Sequence, residues 1–150
     1  MKGLAITGHR PNKLWGYDLN DTHYIKLKKI IQVILLQEKP EECITGMALG
    51  VDTIFAQAVL ELKENGFNTK LICAIPCLNH SCKWNYNSRQ EYNRILSLAD
   101  EVVMVTEKEY SPELMQIRNE YMVDRADKVL AVWNGSHGGT GNCVAYASQV

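Results

Sequence analysis

No block of lysine or arginine stands out in this sequence: 16 basic and 17 acidic residues leave a net charge of −1 over 150 residues. A primary role on nucleic acid, which calls for a strongly positive surface, is disfavoured. Long apolar runs are missing as well. The densest, Ile30 to Leu36, is broken by Gln32 and falls far short of the roughly 20 residues that cross a bilayer, so no membrane partner is expected. The opening Met1 to Thr7 has too short an apolar stretch for a secretion signal, and charge returns at Arg10. The five cysteines are an odd number without scaffold spacing, which points to a reducing, cytoplasmic setting. Cys77-x-x-His80-x-Cys82 offers three metal-ligand types, but no second Cys/His pair accompanies it, and no metal site is expected. No Ser/His/Asp or Cys/His nucleophile spacing, internal repeat, low-complexity segment or linker is found.

What is present is a chain 46% hydrophobic and 22% charged, the balance of one folded domain over residues 1–150. Leu4 to Thr7, Glu42 to Thr45, Lys70 to Ile75, Glu101 to Val105 and Lys128 to Trp133 read as short strands. Between them helices are expected from about Asp21 to Glu38, from the Gly46–Asp52 turn to about Lys63, from Arg89 to Leu98 and from Pro112 to Arg125, with a last one from Cys143 to Val150. Asn20 or Asp21 can cap the first, and Pro112 suits a first helical turn. Cys77 to Ser88 is expected to be irregular, a flap carrying His80 and Trp84. Strands alternating with helices imply right-handed crossovers. The expected fold is α/β: a Rossmann-like, doubly wound, mostly parallel sheet of about five strands with helices on both faces.

In such sheets ligands sit beyond the carboxyl ends of the strands. Glycines follow strand one (Gly8), strand two (Gly46, Gly50) and strand five (Gly135, Gly138, Gly139, Gly141), so three turns fall on one edge. Glycine lets the backbone approach a phosphate, and the free N–H groups of a helix's first turn point at it; the agreement predicts an anion cradle. His9 and Arg10 follow strand one, where the arginine fork suits bidentate anion recognition, although a solvated loop arginine is the alternative. Ala48 lies in the second turn. Asp52 can accept hydrogen bonds from a ribose or merely cap its own helix. Asn134 can read a base or ribose edge; Thr140 and Asn142 flank the last glycine, and Asn142 can cap the final helix. Trp84 and Trp15 can stack on a base or close the cleft, though packing is the default for a tryptophan. Periodicity alone leaves Arg118 on a solvated face. Asp124, roughly 240° further round the same helix, is expected to make a structural pairing.

Thr7-Gly8-His9-Arg10-Pro11-Asn12-Lys13-Leu14, Gly46-Met47-Ala48-Leu49-Gly50-Val51-Asp52, Arg118-Asn119-x-x-Met122-Val123-Asp124 and the run from Ala131 through Asn142 together resemble the YpsA-like branch of the SLOG superfamily, Rossmann-like proteins of bacteria and their phages. The resemblance covers nearly the whole chain. It implies binding of a nucleotide-derived molecule (ADP-ribose, a cyclic ADP-ribose or NAD), makes Arg118 a ligand contact, requires no cofactor and suggests a homo-oligomer. Sensing or sequestration would be the use, such as a phage-encoded sponge for a host signal. LOG phosphoribohydrolases of the superfamily carry Arg-Lys-x-x-Met and then Gly-Gly-x-Gly-Thr-x-x-Glu. Arg118 and Met122 fit the first pattern, but Ala145 stands where the second has its catalytic Glu. Without that carboxylate nothing in the motif stabilises an oxocarbenium ion or activates water, so no catalytic residue is expected. The alternatives are a LOG-like enzyme that cleaves a nucleotide N-glycosidic or phosphate bond, and DprA-like single-stranded DNA binding through Gly46 to Asp52. Relatives usually continue past the last helix with Gly-Lys-Pro and one more strand.

Overall fold

The computed structural model describes residues 1–150. In chain order it holds β1 (Gly3–Gly8), α1 (Thr22–Glu38), β2 (Glu42–Thr45), α2 (Val51–Glu64), β3 (Lys70–Ile75), α3 (Tyr86–Leu98), β4 (Glu101–Met104), α4 (Pro112–Arg125), β5 (Lys128–Val132) and α5 (Gly139–Gln149), with a short 3-10 turn at Pro11–Lys13. The five strands form one sheet in the order β4-β3-β2-β1-β5, and every pairing is parallel. The chain steps outward from β1 to β4 and then returns to the far side of β1. With crossovers of one hand, reversing the direction of travel moves the connecting helix to the opposite face.

The packing obeys that rule. Leu4 and Ile6 of β1 and Leu71 and Cys73 of β3 meet Ile31 and Leu35 of α1, Phe55 of α2 and Ile95 of α3 in the larger core cluster. Their neighbours Ala5, Ile44, Ile72 and Ala74 point the other way and pack with Met122 of α4 in a smaller one. Burial of both faces is why these strands read as continuous apolar runs rather than alternating ones. At the opposite end of the sheet from the glycine turns, Arg125 donates to Glu42, Glu101 and the Tyr121 hydroxyl. One guanidinium thus ties α4 to the starts of β2 and β4.

Two helix starts differ from expectation. Helix α3 begins at Tyr86 instead of Arg89, because the Asn85 side-chain Oδ1 accepts the Ser88 N–H at 2.8 Å and caps the helix three residues early. Helix α5 begins at Gly139 instead of Cys143. The residue before it, Gly138, adopts φ 142° and acts as its cap, so Asn142 lies in the first turn, where its N–H donates to the Gly138 carbonyl at 2.9 Å. Gly139 and Gly141 are therefore helical, and the glycine-rich turn is shorter than it reads. At α1, Asp21 is the cap, accepting the His23 N–H at 2.8 Å. No helix is long and apolar enough to cross a membrane.

Candidate anion-binding site

Reversal of strand order puts a crevice between the carboxyl ends of β1 and β5, where open α/β sheets bind their ligands. The structure has a cavity of about 220 Å³ there. The β1 loop contributes Gly8, His9, Arg10 and Lys13, the β2 turn Ala48 and Asp52, α4 Arg118 and Asn119, and the start of α5 Gly138 to Gly141. Four segments far apart in the chain share one hollow.

The β2 turn is held by its own polar atoms. The Thr45 hydroxyl donates to the Asp52 carbonyl and accepts the Met47 N–H, and the Asp52 carboxylate accepts the Ala48 N–H at 3.2 Å. Met47 sits at φ 58° with its side chain in the core, a left-handed backbone that the turn enforces. At Gly50, φ is 90° and a Cβ would lie 2.6 Å from the His9 carbonyl, so only glycine lets this turn meet the β1 loop. At Gly46 the constraint is the site itself: a Cβ would stand 2.5 Å from Arg118 Nη1.

Arg118 is 5% exposed. Its Nη1 donates to the Gly46 carbonyl and its Nε to Asn119 Oδ1 at 3.0 Å, while Nη2 makes no hydrogen bond within the protein. It enters none of the molecule's ion pairs. Burial lowers its pKa, but an arginine starts so high that the guanidinium stays charged. A buried charge without a direct ion pair is expensive, and this one lines an open cavity, with the Asp52 carboxylate its nearest opposite charge there. Asp52 is the only carboxylate on the cavity wall. Burial pushes its pKa up to about 6, against the pull of Arg118, the Ala48 N–H and Arg10.

Other donors converge on the same space. Within α5 the first backbone bond is that of Asn142, so the N–H groups of Gly139, Thr140 and Gly141 have no helical acceptor. The Asn134 N–H donates to His9 Nε2 at 3.1 Å. Asn134 Oδ1 lies 3.1 Å from the same nitrogen, so the imidazole of His9 is tied to the residue that ends β5. Lys13 reaches from the 3-10 turn to Ser136 Oγ (3.3 Å) and the His137 carbonyl (3.2 Å), tying the β1 loop to the β5 loop.

Of the residues singled out in the sequence, Gly8, His9, Arg10, Ala48, Asp52, Arg118, Gly138, Gly139, Thr140 and Gly141 line this cavity. Gly46 and Gly50 stand behind the wall and shape it. Asn134, Gly135 and Asn142 do not line it; the Asn134 side chain accepts the Ser136 N–H at 3.0 Å. Trp84 lies outside it too, packed edge-on to His80 and Tyr92, and Trp15 stacks on His23. Asp124 accepts the Tyr146 hydroxyl at 2.7 Å, a structural pairing. Lys13, Asn119 and Met115 are wall residues that sequence reading passed over. The Lys13 signal was available in the motif around Gly8, whereas Met115 depends on the angle at which α4 crosses the sheet. Ala145 is exposed on α5 and lines no part of the cavity. Cys77 is buried, Cys82 exposed, and all five cysteines are free thiols.

The family model described as the YspA SLOG family matches residues 4–149. The chain is 36% identical over 135 residues to the uncharacterized SPbeta prophage-derived protein YoqJ of Bacillus subtilis, covering 83% of this chain and 79% of that one. It is 31% identical over 139 residues to a UPF0398 protein of Bacillus cereus, covering 89% and 75%. Among solved structures it is similar to the DNA processing protein A (DprA) of Streptococcus pneumoniae, with a TM-score of 0.67 at 15% identity. That likeness, of fold alone, covers 99% of this chain but spans about half (47%) of the DprA chain. The chain belongs to the YpsA family of SLOG proteins, and its cavity lies at the carboxyl edge of a Rossmann-like sheet.

Proposed function

We propose that the cavity binds the diphosphate of a nucleotide-derived small molecule, such as ADP-ribose, a cyclic ADP-ribose or NAD, for sensing or sequestration in the cytoplasm. One observation carries the reading: Arg118, buried, in no ion pair and with one nitrogen unbonded, lines a hollow that the first turn of α5 also lines. A diphosphate supplies a direct counter-charge and accepts from donors that water otherwise serves. The prophage origin of YoqJ favours a use in soaking up a host signal.

Mass spectrometry of small molecules released from freshly purified protein, then melting curves, tests this. A ligand at 100 times its Kd adds about 2.7 kcal/mol, a rise of about 5–10 °C for a domain of this size. If nothing is released and pyrophosphate, ADP-ribose and NAD all leave the melting curve unmoved at millimolar concentration, the reading fails.

Turnover has one supporting feature, the buried Asp52 in the cavity wall. A single carboxylate without a second acid is a poor glycosidase, since that chemistry uses a pair. Binding is the better account, and product-free chromatography after incubation with NAD or ADP-ribose is the expected result. DprA-like binding of DNA finds no support in a net charge of −1.

The expected homo-oligomer has a candidate face. Ile25, Ile30, Val33 and Leu36 of α1 are each at least 40% exposed and cluster on the side turned from the core. Lys26 and Lys29 share that side, so the apolar residues there form a patch with a charged border. Replacing Ile30 and Val33 together by glutamate should convert an oligomer to monomers in light scattering without lowering the melting temperature of the fold. An unchanged mass would remove α1 as the interface.

A further inference from the structure

Beside the anion cavity lies a second one, of about 310 Å³, whose wall includes Asn79, His80, Trp84 and Tyr110. The two cavities share Arg10 and Met115. Loops after β3 and β4 frame the second cavity, and they are tied together. The Tyr110 N–H donates to Asn79 Oδ1 at 2.9 Å, the Leu78 N–H to the Lys108 carbonyl at 3.0 Å and the Thr106 hydroxyl to the Pro76 carbonyl at 2.8 Å. A crevice thus continues along the carboxyl edge of the sheet, from β5 and β1 toward β3 and β4.

Size and chemistry both divide between its halves. The first cavity, at about 220 Å³, is smaller than the roughly 300–1,000 Å³ of small-molecule pockets; joined to the second it falls within that range. The first offers cations and backbone N–H groups. The second offers flat rings: Trp84, edge-on to His80 at 5.1 Å and to Tyr92 at 5.2 Å, is only partly buried, and Tyr110 is exposed at the rim. Both ring nitrogens of His80 are covered and have no partner, an uncommon state for buried polar atoms. Burial pushes its pKa down to about 3, so the neutral ring carries one donor and one acceptor. Arg10, on the shared wall, makes no hydrogen bond to other side chains.

Resting on the diphosphate reading of the first cavity, we infer that the second is a base subsite, and that a nucleoside diphosphate spans both. The diphosphate lies against Arg118 and the start of α5, Arg10 spans the junction, and the planar base lies on Trp84 with Tyr110 at its open side. The polar edge of the base points to the Asn79 amide and to His80. A half-turn of the imidazole about χ2 exchanges each nitrogen with a ring carbon, which can bring a covered nitrogen to the ligand while the ring keeps its outline.

Calorimetric titration of the whole chain with pyrophosphate and with ADP tests this. ADP should bind at least about ten times more tightly than pyrophosphate, the scale of one base stacked on aromatic rings. Trp84→Ala should bring ADP down to the pyrophosphate level, with pyrophosphate itself changed by less than about twofold; Trp84→Phe should recover much of the difference. Tyr110→Ala, at an exposed position that cannot unfold the core, should weaken ADP about threefold or more and leave pyrophosphate alone. Equal affinities of the unaltered protein for ADP and pyrophosphate, or ADP affinity untouched by both alanine variants, would overturn the base subsite while leaving the anion site standing. Failure of both pyrophosphate and ADP to bind would count against the reading beneath it.

Discussion

Replacing Arg118 by alanine is expected to weaken pyrophosphate binding by about 100-fold, or about 3 kcal/mol, and to destabilise the fold as well. The two losses have separate causes. Binding falls because Nη2, the donor without a protein partner, and the charge behind it are gone. Stability falls because the Gly46 carbonyl and Asn119 Oδ1 lose a buried donor, at about 1–3 kcal/mol for each group left unsatisfied. Arg118→Lys separates them. It keeps the charge but not the planar fork, so it should recover part of the anion affinity and little of the packing. Calorimetry reads the first effect and denaturant unfolding the second. Undiminished pyrophosphate binding by a folded Arg118→Ala would mean that the cavity does not use this charge, and the functional proposal would fall with it.

Asp52→Asn should act in the opposite direction. Burial holds the folded pKa of Asp52 near 6, above its ordinary value of 3.8, so the native state binds this proton more tightly than the unfolded chain does. Stability from this group is therefore complete below about pH 4 and lost as pH rises toward 6, after which the buried carboxylate is a constant penalty of about 3 kcal/mol. Asparagine has no charge to bury and its carbonyl oxygen can still accept the Ala48 N–H. The variant should be the more stable protein at pH 8, by about 1–3 kcal/mol, and no more stable at pH 4. Anion binding has the same sign. As Asp52 ionises around pH 6 it opposes a phosphate in the same hollow, so pyrophosphate affinity of the unaltered protein should drop across that range. In Asp52→Asn the drop should vanish. Chemical unfolding at the two pH values and titrations between pH 5 and 8 measure both. A variant less stable at pH 8 would show that the carboxylate is stabilising where it stands.

How much of this was legible in advance depends on the range of the forces involved. Strand and helix identity are local: the apolar run from Lys70 to Ile75 marks an interior strand, and Asp21 sits one residue before the helix it caps. The boundaries missed were set by single capping atoms. Asn85 started α3 early, and the backbone of Gly138 opened α5 before two further glycines that look like loop. That three turns lie on one edge also came from the order of elements, because parallel strands joined by helices must all end on the same side.

The amino-acid sequence by itself determined a doubly wound parallel sheet with its glycine turns at one rim, and it placed Arg118 on a helix without saying where that helix would point. Only the tertiary structure decided that Arg118 is buried with an unused donor, that the Asn134 side chain is spent on Ser136, and that Trp84 belongs to a neighbouring hollow. The physical reason is that pattern and propensity act over a few residues. The fate of a charge is decided by what meets it across the sheet, here a carbonyl 72 positions away at Gly46.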